Sequence, residues 1–490
     1  KARLIRQLLT ESLLLAACGG LLGLGVAQAG VRALVGIVPA PMLRGLPQLS
    51  SVGLDPRVVT YALLLSLAAG IGFGIIPALR LTSPVLYDSL KSAGRGSIGG
   101  GNRLRDGLVV GEIALTVVLL SGALLFGRSL IRLMAIDPGF RAEHVVTTTV
   151  VLPRTNYADG AAQIDFFRRF TDKMRETGGV QAVGLTTKLP LDFGNSTGFI
   201  IAGQPVPLPA DVPTASYREV STDYFRALNI PLARGRMFGA SDDQSAPAVA
   251  VVNRAFVVDY FGAQDPIGQA LLQGKDTMRI VGVVGDVPIG NLEDKIPPTL
   301  YLPFAQSPEA EMAVVVRTAA PVDQAARSMR QVLASLDPSA AITPVTSMDD
   351  LIATSPSVFM RRFPLYLVGA FALTALLLAV VGIYGVVSYS VAQRTREMGI
   401  RMALGAEPRA LVSLVMAHGG AMAAGGIVAG VIGSLALGRF AAKMLYGVQP
   451  SDPVTYVIVA FVLAVVAIGA TIIPARRATK VDPALALRAD

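Results

Sequence analysis

Few side chains in these 490 residues could carry bond-making chemistry. Two histidines and one cysteine, Cys18, leave no material for a His/Cys metal site, a Ser-His-Asp triad or a disulfide framework, so no metal, cofactor or catalytic residue is expected. His144 stands alone, and Cys18 within an apolar run reads as a small apolar residue. Asp242-Asp243 and Asp349-Asp350 are paired carboxylates in turn-like contexts, where solvated side chains or helix caps are expected. Glu112, early in another apolar run, is a functional candidate by position, yet it lies close enough to the boundary to reach the interface. Gly268 to Gly274-Lys275-Asp276 has the wrong spacing for a phosphate-binding loop and no hydroxyl for magnesium. Gly70-Ile-Gly-Phe-Gly74 imitates such a loop inside an apolar run, where glycine permits packing. Asn195-Ser196-Thr197 fits a glycosylation triplet and is read as a polar loop. The most informative stretch is Gln393-Arg-Thr-Arg-Glu-Met-Gly-Ile-Arg-Met-Ala-Leu-Gly-Ala406. It mixes arginines with Met398, Ile400, Met402 and Leu404 on a short amphipathic helix that Gly405 would cap. Such an apolar face needs a protein partner or lies on a lipid surface.

The elements that must position this stretch are membrane spans. Only 16% of the residues are charged, against about 25% in globular domains, and the mean hydropathy is +0.56. Runs of the roughly 20 apolar residues that cross a bilayer as helix are predicted at 8–37, 58–79, 107–127, 364–392, 410–445 and 454–475. The fourth and sixth hold no charged residue. Lys1, Arg3 and Arg6, then Arg80, Lys91, Arg95, Arg103 and Arg105, then Arg394, Arg396, Arg401 and Arg409, then Arg476, Arg477, Lys480 and Arg488 fall on one side of alternating spans. The opposite short loops hold Arg44 and Arg57 alone. Positive residues stay inside, which places both termini in the cytoplasm and 136–362 outside. That outer segment carries 20 Lys+Arg against 24 Asp+Glu, so the net +9 resides in the membrane part, as anionic inner-leaflet lipid would have it, and no nucleic-acid partner is implied.

The chain also repeats. Arg3-Leu4 matches Arg409-Ala410, Leu8 matches Leu414, and Gly19-Gly20 matches Gly425-Gly426. Asp55-Pro56 and Thr60-Tyr61 match Asp452-Pro453 and Thr455-Tyr456, and Ile75-Ile76-Pro77 matches Ile472-Ile473-Pro474, which reads as a helix stop. Gly19/Gly23 and Gly426/Gly430 have the spacing of helix-packing faces. The two-span unit at 1–95 therefore recurs at 408–490, and the first copy's missing pieces are expected upstream of Lys1, in a longer protein. Between the copies, strands are predicted at 145–152, 180–187, 248–252, 278–284, 299–302 and 312–317, with helices at 160–177, 254–261 and 322–336. The outer segment is expected to form two lobes, one from 140–190 and 310–350, the other inserted at about 215–305.

The 393–406 stretch resembles the loop between second and third spans of bacterial permeases of the MacB/FtsX type, and the chain is similar to duplicated permeases of that family, N-terminally truncated. The resemblance implies an α-helical polytopic membrane protein with six spans in this piece and a large extracytoplasmic α+β domain of the MacB periplasmic type. Residues 1–95 would be the last two spans of a first unit, 96–135 the first span of a second, 136–362 its periplasmic domain, and 363–490 three spans with a coupling loop at 393–409. It further implies a bacterial inner-membrane location, a lipid bilayer and a separate dimeric ABC ATPase as partners, and leaves room for a periplasmic or outer-membrane partner. Arg394, Glu397, Met398, Gly399, Ile400, Arg401, Leu404 and Gly405 would contact the ATPase, so that its motion drives efflux or export of a substrate the sequence does not name. The alternative is a non-transporting regulatory or scaffold protein acting on envelope enzymes or a sensor.

Cysteines placed singly at Ser196 and Ser92 are expected to differ in labelling by an impermeant reagent in intact cells, with Ser196 accessible and Ser92 protected. Equal labelling would refute the orientation.

Overall fold

The computed structural model describes residues 2–38, 53, 55–82, 100–205, 207–274, 276–393 and 407–478. Two compact units result, one over Ile131–Met360 and one over the flanking Lys1–Leu130 and Arg361–Asp490. In chain order the helices are α1 (Ala2–Ile37), α2 (Pro56–Thr82), α3 (Gly100–Met134), α4 (Gly160–Arg175), α5 (Tyr224–Leu228), α6 (Arg254–Tyr260), α7 (Val322–Leu336), α8 (Met348–Ala353), α9 (Pro356–Gln393), α10 (Pro408–Ala441) and α11 (Pro453–Ala478).

In the flanking unit, α1, α3, α9, α10 and α11 each hold a stretch long and apolar enough to cross a membrane. Six such spans are predicted from the sequence; the second of them, α2, is helical throughout, but its described apolar stretch Pro56–Gly72 is shorter than a span. α2, α3, α9 and α11 run past both predicted ends, whereas α10 stops at Ala441, before 445; within lipid, which offers the backbone no partner, every turn closes its own hydrogen bonds. The same constraint corrects the reading of Ile-Ile-Pro as a stop: α2 continues past Pro77 to Thr82, and α11 past Pro474 to Ala478. Proline's fixed φ suits a helix, and the one lost bond is tolerated in a membrane segment. Helices α3, α9, α10 and α11 share a core built from Ile113, Val117, Ala379, Ile383, Val415 and Leu463.

The unit over Ile131–Met360 carries the strands β1 (Val145–Val151), β2 (Val180–Thr186), β3 (Asn195–Gly198), β4 (Ile200–Ile201), β5 (Thr214–Val220), β6 (Leu232–Gly235), β7 (Val249–Asn253), β8 (Ala270–Gln273), β9 (Asp276–Val284), β10 (Thr299–Pro303), β11 (Glu311–Thr318), β12 (Ala341–Ile342) and β13 (Thr346–Ser347). They form one sheet, ten of them in the order β12-β1-β11-β2-β5-β10-β7-β9-β8-β4, with β13 paired to β1, β3 to β5 and β6 to β9. β11 lies antiparallel between β1 and β2, so β1-α4-β2 is a split strand-helix-strand unit. α4, capped by Asp159 through the Ala162 amide, buries Phe166, Phe167, Phe170 and Met174 against Met329 and Leu333 of α7 and the face of β11. A separate core of Phe199, Phe256, Leu271 and Ile280 lies under the strands from β5 onward. The two parts join in the ladder through Thr186 and Val220, and in a shared core where Ala182, Ala313 and Val315 pack with Tyr224, Phe225, Val251 and Tyr301.

Two expectations change. Asn195–Thr197 is not a loop but lies in β3, paired with β5; polar side chains suit a strand whose face is largely exposed. Asp242 is not solvated: it is 5% exposed and takes both guanidinium nitrogens of Arg236, at 2.7 and 2.8 Å, plus the Gly239 amide. That arginine holds its carboxyl below the usual range. Asp350, by contrast, sits in the first turn of α8 and accepts the hydroxyl of the capping Ser347.

Glu219 on β5 is also buried, its Oε2 accepting the Thr187 hydroxyl at 2.7 Å. Burial, aided by the nearby Glu309, pushes its carboxyl up despite hydrogen bonds from Thr187 and Ser307. A carboxyl raised in the folded state favours folding at low pH and loses that contribution as pH climbs through the raised value. Glu219→Gln is therefore expected to stabilise the unit at pH 7 by on the order of 1 kcal/mol and to give no gain near pH 4, measured by thermal unfolding. An unchanged midpoint at pH 7 would contradict this.

Candidate coupling site in the span bundle

Arg394, Glu397, Met398, Gly399, Ile400, Arg401, Leu404 and Gly405 lie outside the described residues, between the end of α9 at Gln393 and the start of α10 at Pro408. What the structure describes is the helix bundle to which that segment is joined at both ends.

The glycines of α10 set its geometry. A Cβ on Gly426 would lie 2.6 Å from the Ile113 side chain and 3.1 Å from the Val110 carbonyl, and one on Gly430 would strike Val117 and come within 2.7 Å of the Ala114 carbonyl. α10 thus lies on α3 with backbone and β-branched side chains in contact, as expected where dispersion replaces the hydrophobic drive. Gly19 and Gly23 have the same spacing but open surroundings: a Cβ on either meets nothing within 4 Å. In the first hairpin the close approach is made by Gly20, beside Ser66, and Gly70, beside Ala16 and the Ser12 carbonyl. The Ser66 hydroxyl donates to the Ala16 carbonyl at 2.7 Å.

Polar groups then fix α3 to its neighbours along its length. The hydroxyl of Thr116, fully buried, lies 2.8 Å from the Glu112 carbonyl of its own helix and 3.2 Å from the Ala375 carbonyl of α9. Ser121 and Ser434 hydroxyls lie 2.6 Å apart, and Tyr456 of α11 reaches Ser434 at 3.3 Å while donating to the Pro450 carbonyl. Toward the outer end, Ser129 accepts the Tyr446 amide at 2.7 Å, and Arg128 pairs with Asp452. Asp452 also caps α11, accepting the Thr455 amide at 2.9 Å, just as Asp55 before α2 accepts the Arg57 amide at 2.7 Å. At the inner end, Arg105 stacks over the Tyr389 ring at 4.2 Å, and Asp106 lies 3.6 Å from His418. Glu112, half-buried, rests with its carboxylate where a Cβ on Gly382 of α9 would be 2.5 Å away.

Arg128, Ser129, Ser121, Ser434 and Tyr456 were not singled out by the sequence. The signal available was the repeated Asp-Pro pair, aspartate as cap and proline at the first helical position. Among the described residues, no group of three or more His, Cys, Asp or Glu could hold a metal, and Cys18 is exposed.

The model of the MacB-like periplasmic core domain matches residues 113–332, and that of the FtsX-like permease C-terminal region matches 369–483. The chain carries both domains of the MacB/FtsX-type permeases. It is 28% identical over 55% of its length to the macrolide export ATP-binding/permease protein MacB 2 of Aeromonas hydrophila, of which 42% is covered. To the pyoverdine export ATP-binding/permease protein PvdT of Pseudomonas syringae pv. tomato it is 30% identical over 57% of its length, covering 44% of that protein. The chain therefore spans less than half the length of these curated relatives. The solved periplasmic region of MacB from Actinobacillus actinomycetemcomitans aligns with 46% of the permease and 97% of that structure at 16% identity, with a TM-score of 0.31. The permease is a multi-pass membrane protein by its apolar helices, with the outer α+β unit of the MacB class.

Gly430→Leu is expected to destabilise the permease in detergent by on the order of 1–3 kcal/mol, since the nearest atoms are β-branched side chain and backbone. Gly19→Leu should leave it unchanged. Thermal unfolding of the two variants side by side checks this, and equal effects would refute the assignment of Gly430 to the tight face.

Proposed function

We propose that this permease transmits the motion of a separate cytoplasmic ABC ATPase, paired as a dimer, through α3 and α9 to the extracytoplasmic unit, for efflux or export of a substrate across the envelope of a bacterium, from the inner membrane. The observation that carries this is the continuity of the two helices. α3 is helical from Gly100 to Met134 and α9 from Pro356 to Gln393, each passing from one compact unit into the other without a break. At 1.5 Å per residue they are about 52 and 57 Å long, well beyond a hydrocarbon core of about 30 Å. A helix that long, held along its length by packing and hydrogen bonds, moves as a rod; displacement at one end reaches the other.

Arg394, Glu397, Met398, Gly399, Ile400, Arg401, Leu404 and Gly405 would receive the ATPase, directly beyond the cytoplasmic end of α9. The relatives bear names of macrolide and pyoverdine exporters, two chemically unlike cargoes, which supports export without favouring either.

Glu397→Arg and Gly399→Trp are each expected to abolish energy-dependent function and ATPase co-purification while leaving membrane insertion intact. One reverses a charge at the contact, and the other puts bulk at a glycine. Arg394→Gln should do much less. If the segment lies on lipid instead, the order reverses, because added positive charge strengthens attraction to anionic headgroups. Unchanged co-purification with Glu397→Arg and Gly399→Trp together would end the coupling assignment.

A further inference from the structure

We propose that the extracytoplasmic unit holds, beside α8, a binding site for an amphiphile with a cationic head group. A cavity of about 600 Å³ opens there, within the size range of small-molecule sites. Its inner wall is apolar, formed by Leu133, Ile136, Phe140, Leu292 and Ile352, of which Leu133, Phe140 and Leu292 are buried. Its charged lining residues are Glu143, Asp349 and Asp350 against the single cation Arg141. Asp350 is engaged by Ser347 and Glu143 has the Arg317 guanidinium nearby, bonded to its backbone carbonyl, but neither Asp349 nor Glu143 forms a carboxylate ion pair among the described residues. An apolar wall selects a hydrocarbon body, and a net negative charge in the lining selects a positive head over a neutral or anionic one. Leu133 and Met134, which end the apolar span Arg105–Met134, are themselves part of the lining.

The inference rests on the orientation adopted above but not on ATPase coupling, and binding is read without nucleotide, so failure of one is distinguishable from failure of the other. These 490 residues hold no tryptophan, so Ile352→Trp provides a single reporter in this 490-residue chain reconstituted in nanodiscs. Bromododecyl-trimethylammonium is expected to quench it saturably, whereas a reporter at the exposed Val258, away from the lining, shows only a linear rise from lipid partitioning. Asp349→Lys with Glu143→Lys should raise the midpoint at least about tenfold, equivalent to about 1.4 kcal/mol, and Arg141→Gln should lower it. Quenching that is linear, equal for brominated dodecyl sulfate and dodecyl maltoside, or indifferent to these charge changes overturns the proposal. So does a reporter spectrum that shifts with protein concentration in the absence of amphiphile, which would mean that a second copy fills the cavity.

Discussion

Inside lipid, helices gain nothing by hiding apolar surface from one another, so the bundle depends on how near α10 can come to α3. Gly426 and Gly430 set that distance by offering no side chain where Ile113 and Val117 arrive. The hydroxyl pair Ser121 and Ser434 accompanies this approach, because two short side chains meet only across backbones brought close together. Arg128 and Asp452 then close the outer end, where a charge pair between a span and the cap of the last helix is partly reached by water and less costly than one at the bilayer centre.

Outside the membrane the governing problem is the reverse, since charges are cheap at the surface and expensive within. Arg218 is 2% exposed, yet it donates to the carbonyls of Lys188, Leu189 and Asp192. A guanidinium with several fixed donors can satisfy a turn of backbone that has left the sheet, holding the chain after β2 against β5. Buried Glu219, next to it in β5, accepts the Thr187 hydroxyl. This part of the unit is specified by polar groups whose partners are distant in sequence.

That difference explains what was legible in the amino-acid order. The spans are visible because hydrocarbon imposes one composition on every residue of a long run. β1, α4, β2, α6, β11 and α7 are visible because their apolar positions recur with the period of the element that buries them. β5 was missed: Thr-Ala-Ser-Tyr-Arg-Glu-Val shows no alternation, and its Arg218 and Glu219 read as surface residues until Lys188, Leu189, Asp192 and Thr187 are brought up to meet them. β3 was missed for the complementary reason, being a largely exposed polar strand that a neighbour rather than a core recruits. Within the bundle, glycine spacing was readable but the face it serves was not. Gly19/Gly23 and Gly426/Gly430 have identical spacing, and only the identity of the adjoining helix separates an open face from a tight one. Arg128 was missed because nothing local links it to Asp452, more than 300 positions away.

The sheet order has a consequence for how this architecture diversifies. The chain leaves β2 and comes back at β11 side by side, Thr186 and Ala313 being cross-strand partners, a geometry in which added length between them imposes no stretch on β1, β2 and β11. The freedom is not uniform. Tyr224, Phe225 and Leu228 of α5 pack with Ala182 of β2 and with Ala313 and Val315 of β11, so α5 must be kept for those strands to stay covered. The far end of the strand order, at β8 and β4, lies away from that core and is where selection can lengthen or reshape the sheet.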